Sequence, residues 1–190
     1  MDWVEDRNPD LTLISCDLLS RPNGEAKLRE LVGRLPNAYA VLGNHDYAVT
    51  KDPFSRPVVL DELGSARLLA DEAETVEVRG RQVQVVGVDP RSYRRGTARP
   101  ERLADAAADL RILLCHFPQV IDRLEPGVFD LVLSGHLHAG QITVPYPGGR
   151  LRLAHLRWTY VEGVYERPGG VLHLSAGLGT TFVPFRFFAR

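Results

Sequence analysis

The sequence predicts an α/β fold, and three observations carry that prediction. Short apolar runs alternate with amphipathic stretches along the chain, neither an internal repeat nor a low-complexity linker interrupts them, and 44% hydrophobic with 25% charged residues over 190 positions suffices for one well-packed domain. The first run, "LTLISC" (11 to 16), is a strand candidate apolar on both faces. "GEAKLRELVGRL" (24 to 35) comes next with helical spacing, and "AYAVLG" (38 to 43) returns to a buried strand. "TVEVRGRQVQVVGV" (75 to 88) alternates around Arg79, Gly80 and Arg81 and predicts a β-hairpin. "PERLADAAADL" (100 to 110) has helical spacing, and "RILLC" (111 to 115) and "FDLVLSG" (129 to 135) are again buried strands. The last third, with "GGRLRLAH", "YVEGVYERPGGVLHLS" and many Gly and Pro turns, predicts further strands. No boundary divides residues 1 to 190, which are expected to form one domain.

Composition excludes several function classes. The net charge is -1 with both signs interspersed, so there is neither a nucleic-acid footprint nor a polybasic membrane patch. Cys16 and Cys115 are too few for a disulfide scaffold, which points to a reducing, cytoplasmic setting. No apolar run approaches the roughly 18 residues that a membrane span needs.

The four buried-strand candidates share one design at their C-terminal ends, where open α/β sheets place ligands. Each closes on a small residue, and a polar side chain comes directly after it: Asp17 after "LISC", Asn44, His45 and Asp46 after "AVLG", His116 after "ILLC", and His136 and His138 after "LVLSG". Each piece has an ordinary reading. Asp17 alone would be an N-cap or turn residue, "GNHD" alone an Asn- and Asp-rich turn, and His116 alone a satisfied half-buried histidine. Four such strand ends together point to a metal centre, with His136 and His138 set one residue apart around a single locus. His155 lies in an Arg-rich segment and His173 alternates within "VLHLS", so both read as structural. The donors are carboxylate and amide oxygens and imidazole nitrogens, a mixture suited to Mn, Fe or Zn; Cys16 and Cys115 occupy small-residue positions and are expected to pack.

The motifs "CD" (16 to 17), "GNHD" (43 to 46), "CHFP" (115 to 118) and "GHLH" (135 to 138) resemble, in order and approximate spacing, those of the calcineurin-like metallophosphoesterase superfamily. The stretches "SGHLHAGQITVP", "YVEGVY" and "LSAGLGTTFVPFRF" are similar to a bacterial branch that includes UDP-2,3-diacylglucosamine hydrolase-like and membrane-associated phosphoesterases. The resemblance implies a four-layer α/β/β/α sandwich holding two divalent metals. Asp17 would bridge them, Asn44, His116 and His136 would complete the second site, and His138 would bind the first. His45 would stabilise the transition state or protonate the leaving oxygen, with Asp46 orienting its imidazole. The implied reaction is hydrolysis of a phosphomonoester, phosphodiester or pyrophosphate bond by a metal-bound hydroxide. The substrate would be a small phosphate ester or a lipid-linked one.

The sequence also departs from the family pattern. No His precedes His45, so the Asp-x-His strand with which family members begin is missing, and "MDWVEDRNPDLTLISCD" resembles the helix and second strand that would come after that strand. Cys16 replaces a usual Gly, and Ser20 an acidic residue. The first metal site then keeps only Asp17 and His138, while the second keeps all four ligands. Three accounts are compatible with this: a start that truncates an ordinary dinuclear hydrolase, a weak enzyme with one tightly held metal, or a degenerate domain that binds one metal or a phosphate ligand without turnover. A missing strand would also leave a sheet edge open. Two other stretches have double readings. "GVDPRSYRRG" (87 to 96) is either a solvated arginine loop or a grip for a second phosphate through Arg91, Arg94 and Arg95. The aromatic "TTFVPFRFFAR" either packs on the sheet or makes peripheral membrane contact.

Overall fold

The computed structural model describes residues 4, 6–15, 17–53, 55–60, 63–153, 157–181 and 183–189. Its first sheet is parallel and contains, in spatial order, β1 (Thr12–Ile14), β2 (Ala38–Ala40) and β3 (Arg67–Leu68). Among the described residues β1 is paired on one side only. The second sheet is built from β4 (Glu72–Val78), β5 (Arg81–Gly87), β6 (Leu110–Leu114), β7 (Leu131–Ser134), β10 (Gly163–Arg167) and β11 (Gly170–Leu174). Its order is β10-β11-β7-β6-β5-β4, with β5, β6, β7 and β11 parallel and antiparallel edges at β4 and β10. A separate hairpin joins β8 (Thr143–Tyr146) to β9 (Gly149–Arg152).

Side-chain alternation along these strands makes the layers. Tyr39, Val41 and Leu69 from the first sheet meet Val83, Val85, Ile112 and Leu114 from the second in one core between the sheets. The opposite face of the first sheet, Ala38, Ala40 and Leu42, packs against Val32 and Leu35 of the α1 region (α1, Glu25–Val32). The opposite face of the second, with Val86, Leu113, Val132 and Leu172, is covered by Tyr93 of α2 (Pro90–Arg95) and by Val120 and Ile121 of the 3-10 turn Pro118–Arg123. The result is the expected four-layer α/β/β/α sandwich.

The 75–88 hairpin forms as its pattern requires. Arg79 and Gly80 both adopt positive φ, 51° and 77°, the type I′ geometry that matches strand twist. Two expectations need correction. The 100–110 stretch is helical only as the 3-10 turn Pro100–Leu103. Buried Gln84 diverts the chain there, donating from Nε2 to the Leu103 carbonyl (2.9 Å) and accepting at Oε1 from the Asp105 amide (2.8 Å). The three alanines after it supply too little apolar surface to recover a helix. Conversely, the arginine segment is the helix α2 rather than a loop. Asp89 caps it by accepting from the Arg91 amide (2.6 Å), Pro90 starts it, and Gly96 ends it at φ 72°.

The two sheets touch closely at Gly87. A Cβ there would lie 2.2 Å from the Leu69 Cβ and 2.8 Å from its carbonyl oxygen. Gly87→Ala is therefore expected to destabilise the fold by about 1–3 kcal/mol through overpacking, measured as a lowered midpoint in urea. An unchanged midpoint would show that the sheets separate freely.

Candidate metal centre

The parallel strands β1, β2, β6 and β7 direct their C-terminal ends toward one side, and the polar residues sit in the loops just beyond. The strands are shorter than the apolar runs that encode them, which leaves Val41 to Gly43 and Cys115 as buried loop backbone. Asp46, fully buried, ties the first two loops together. Its carboxylate accepts from the amides of Leu18 (3.1 Å), Leu19 (2.7 Å) and Gly43 (2.8 Å). Asp17 Oδ1 in turn accepts from the His45 amide at 2.8 Å. Gly43 makes room for this crossing, since a Cβ at 43 would fall 1.9 Å from Asp17 Oδ1.

The other pair of loops is joined by backbone bonds that continue the sheet, Cys115 N to Leu133 O (3.1 Å) and Gly135 N to His116 O (3.3 Å). These set His116 beside His136. His116 Nε2 lies 3.0 Å from Asn44 Oδ1, 3.0 Å from His136 Nδ1 and 3.4 Å from Asp17 Oδ2. Ligand atoms of Asp17, His116 and His136 all fall within 4.8 Å of one another. One Nε2 proton cannot serve three acceptors, whereas a divalent cation would take one lone pair from each of these four side chains. Burial pushes His116 down to about 3, with the imidazoles of His138 and His45 adding to the fall, so the ring is neutral and fit to ligate. Burial raises Asp46 to about 7, against the lowering effect of the Gly43, Leu19 and Leu18 amides and with Asp17 adding to the rise.

Asp46 and the His45 imidazole have separate hydrogen-bond partners. The His45 ring lies between hydroxyls, with Ser20 Oγ 3.2 Å from Nδ1 and Thr50 Oγ1 3.2 Å from Nε2, while the Asp46 carboxylate is occupied by backbone amides. Asp46 thus shapes the loops that hold His45 and Asp17. His138 lies off the three-residue cluster, with Nε2 3.0 Å from Thr181 Oγ1 and Nδ1 3.4 Å from Arg186 Nη2. It shares with Asp17, His45 and His136 a cavity of about 130 Å³.

The loop carrying both histidines is strained, with His136, His138, Ala139 and Gln141 at φ 80°, 48°, 53° and 51°. Gln141 holds it in place. Its Nε2 donates to the carbonyls of Thr181 (2.9 Å) and Val183 (2.9 Å), and its Oε1 accepts from the Thr181 amide (2.7 Å). Sequence reasoning did not assign Thr50, Gln141, Thr181 or Arg186. Gln141 directly follows "GHLHAG", so proximity to the histidines was its only signal; the other three depend on contacts across 5, 43 and 48 residues.

The remaining expectations divide. Arg91 forms an ion pair with Asp89 (Nη2 to Oδ2, 2.6 Å) and stacks over Tyr47 at 4.3 Å, so it is committed within the fold. Arg94 donates from Nη1 to the Val49 carbonyl at 2.8 Å, beside the site. Cys115 is buried in the core and its thiol is pushed up to about 12 by that burial. His173 is an exposed residue of β11. Cys16 and His155 lie outside the described residues.

Residues 1–140 match the family model described as calcineurin-like phosphoesterase. The chain is similar to the uncharacterized metallophosphoesterase YkoQ of Bacillus subtilis, at 30% identity over 98% of this chain and 72% of that protein. An uncharacterized metallophosphoesterase of Helicobacter pylori is 32% identical over the full chain, which spans 51% of it. The phosphodiesterase YaeI of Escherichia coli is 27% identical over 76% of this chain and 52% of that protein. Among solved structures, the NAD nucleotidase NadN of Haemophilus influenzae shares the fold with a TM-score of 0.52, at 15% identity over 87% of this chain and 39% of that one. These likenesses do not distinguish the branch containing UDP-2,3-diacylglucosamine hydrolases.

Proposed function

The chain belongs to the calcineurin-like phosphoesterase family, hydrolases that act on phosphoric esters, and from that premise we propose that it cleaves a small phosphate ester at the Asp17–Asn44–His116–His136 cluster. The convergence of Asp17, Asn44 and His136 on His116 Nε2 is the observation that carries the reading. They would hold one divalent cation, Mn, Fe or Zn, and Asp17 with His138 would hold a second. When bound, such cations supply Lewis-acid polarisation of phosphoryl oxygens and lower the pKa of water. The protein residues do the rest. Asp17 brings the carboxylate charge that fixes the cation, and neutral Asn44 limits that charge so the site still attracts an anion. His45, on the wall of the same cavity, faces the ester and passes a proton to the leaving oxygen from a ring held by Ser20 and Thr50.

His45→Ala in Mn-reconstituted protein is expected to lower kcat for bis(p-nitrophenyl) phosphate by about 10²- to 10⁴-fold, leaving KM and metal content within about twofold. An unchanged kcat would remove His45 from the chemistry.

One observation favours a second reading. Both ring nitrogens of His138 already face partners, Thr181 and Arg186, so the first site is furnished less well than the second. A domain binding one metal or phosphate without turnover would show calorimetric phosphate binding and no hydrolysis. Peripheral lipid contact rests on exposed Leu178, Phe185, Phe187 and Phe188, and no described helix is long and apolar enough to cross a membrane. Leu178→Ser with Phe185→Ser is expected to reduce sedimentation with anionic phosphatidylglycerol vesicles, and equal sedimentation would retire that contact.

A further inference from the structure

Beside the metal cluster opens a groove of about 720 Å³, within the range of small-ligand sites. Asn44, His45 and His136 form the wall it shares with the cluster, so this is the roomier of the two spaces into which a phosphate held at the cluster can project its organic group. The rest of the lining has two characters. Trp158, Val49, Ile142 and Val183 are apolar, and Lys51 and Arg94 are cationic. The Trp158 indole meets the His136 imidazole edge-to-face, with centroids 5.8 Å apart at 71°, which fixes an aromatic surface against the residue that also faces the cluster. Arg94 is anchored by its bond to the Val49 carbonyl, and the guanidinium has further donors.

We infer that this groove receives an aromatic ring on Trp158 and a second anionic group at Lys51 and Arg94, so that the ester class taken by the site is an aryl or heteroaryl compound bearing two phosphates. The inference rests on the phosphoesterase reading for its placement and adds the substrate class to it. An aliphatic chain would use Val49, Ile142 and Val183 but would leave both cations without a counter-charge. A bare pyrophosphate would use the cations and leave the indole uncovered. Only a molecule with both features satisfies the whole lining.

Calorimetry on the Mn-loaded protein, with phosphate release followed in parallel, separates affinity for each probe from its turnover. The probes are adenosine 5′-diphosphate, inorganic pyrophosphate and ribose 5-phosphate. The nucleotide is expected to bind about tenfold more tightly than pyrophosphate, consistent with a single stacked base. Trp158→Ala should erase most of that difference while leaving pyrophosphate affinity within about twofold, and Trp158→Phe, which keeps a ring, should restore it. Lys51→Ala with Arg94→Ala should weaken both diphosphates and leave ribose 5-phosphate least affected. Equal affinity for nucleotide and pyrophosphate, or a preference that survives Trp158→Ala, would overturn the inference. A separate assay with bis(p-nitrophenyl) phosphate and Mn tests the underlying reading: absent hydrolysis with intact nucleotide preference sinks the phosphoesterase reading alone, and hydrolysis without ring preference sinks the groove alone.

Discussion

Asp17→Asn is expected to cost more than about 100-fold in Mn affinity and to abolish measurable phosphodiester hydrolysis, while the protein remains folded. The reason lies in what the substitution keeps and what it removes. Asparagine Oδ1 still accepts the His45 amide bond that Asp17 makes at 2.8 Å, so the loop retains its anchor. The negative charge on the side that faces His116, 3.4 Å away, is lost. In the four-residue cluster Asp17 is the one acidic side chain; Asn44 is neutral and burial holds His116 neutral. Removing a group that merely supports a ligand costs about 10- to 100-fold in metal affinity, and removing the one acidic ligand should exceed that. Calorimetric Mn titration of the variant, with circular dichroism as the folding control, checks the result. Mn affinity within about threefold of the parent would show that Asp17 is not a ligand.

The second large effect is expected from one added methyl group. Gly43→Ala places a Cβ where Asp17 Oδ1 now lies, 1.9 Å away, and 2.8 Å from the Asp17 backbone nitrogen. Neither is a flexible side-chain tip free to move, because Asp17 is fixed by the His45 amide and the next two amides by Asp46. The carboxylate must shift by an ångström or more. Displacements of that size cost about 10²-fold in rate, so kcat/KM should fall at least that much, with weaker Mn retention. The fold should suffer less, because the strands β1 and β2 pair before this point. Steady-state kinetics beside a thermal melt separates the two effects. Full activity in Gly43→Ala would mean that the crossing of these loops does not position Asp17.

These two expectations show what was legible in the sequence. Asp17, Asn44, His116 and His136 were each visible as a polar residue after a small one at the end of an apolar run, because a buried strand that ends in a polar loop leaves a local pattern. The hairpin was equally visible, since alternation around Arg79 and Gly80 is a short-range signal. The role of Asp46 was not. Its partners Leu18 and Leu19 lie 28 and 27 residues away, and backbone amides carry no side-chain signature in a sequence. Gln141 and Thr181 belong to the same class, joined across 40 residues by bonds between the Gln141 side-chain amide and the Thr181 backbone. The helix α2 was legible in principle, with Asp89 as cap, Pro90 at its start and Gly96 at its end, but six residues with three arginines show no apolar period. The 100–110 stretch failed the other way: spacing suggested a helix, and the buried amide of Gln84 captured the backbone instead. Periodicity reports burial well, and it is blind to a buried polar group that competes for the chain.

The most direct test of the metal centre is elemental mass spectrometry on protein reconstituted with Mn and passed free of excess, comparing the parent with His116→Ala. His116 Nε2 is the point where Asn44, His136 and Asp17 converge, so its loss is expected to empty the cluster. The account predicts one or more Mn per parent chain and only trace metal in the variant; two per parent chain would mean that His138 and Asp17 also hold an ion. Equal metal content in parent and variant, or trace amounts in both, would contradict the claim that these strand ends build a metal site.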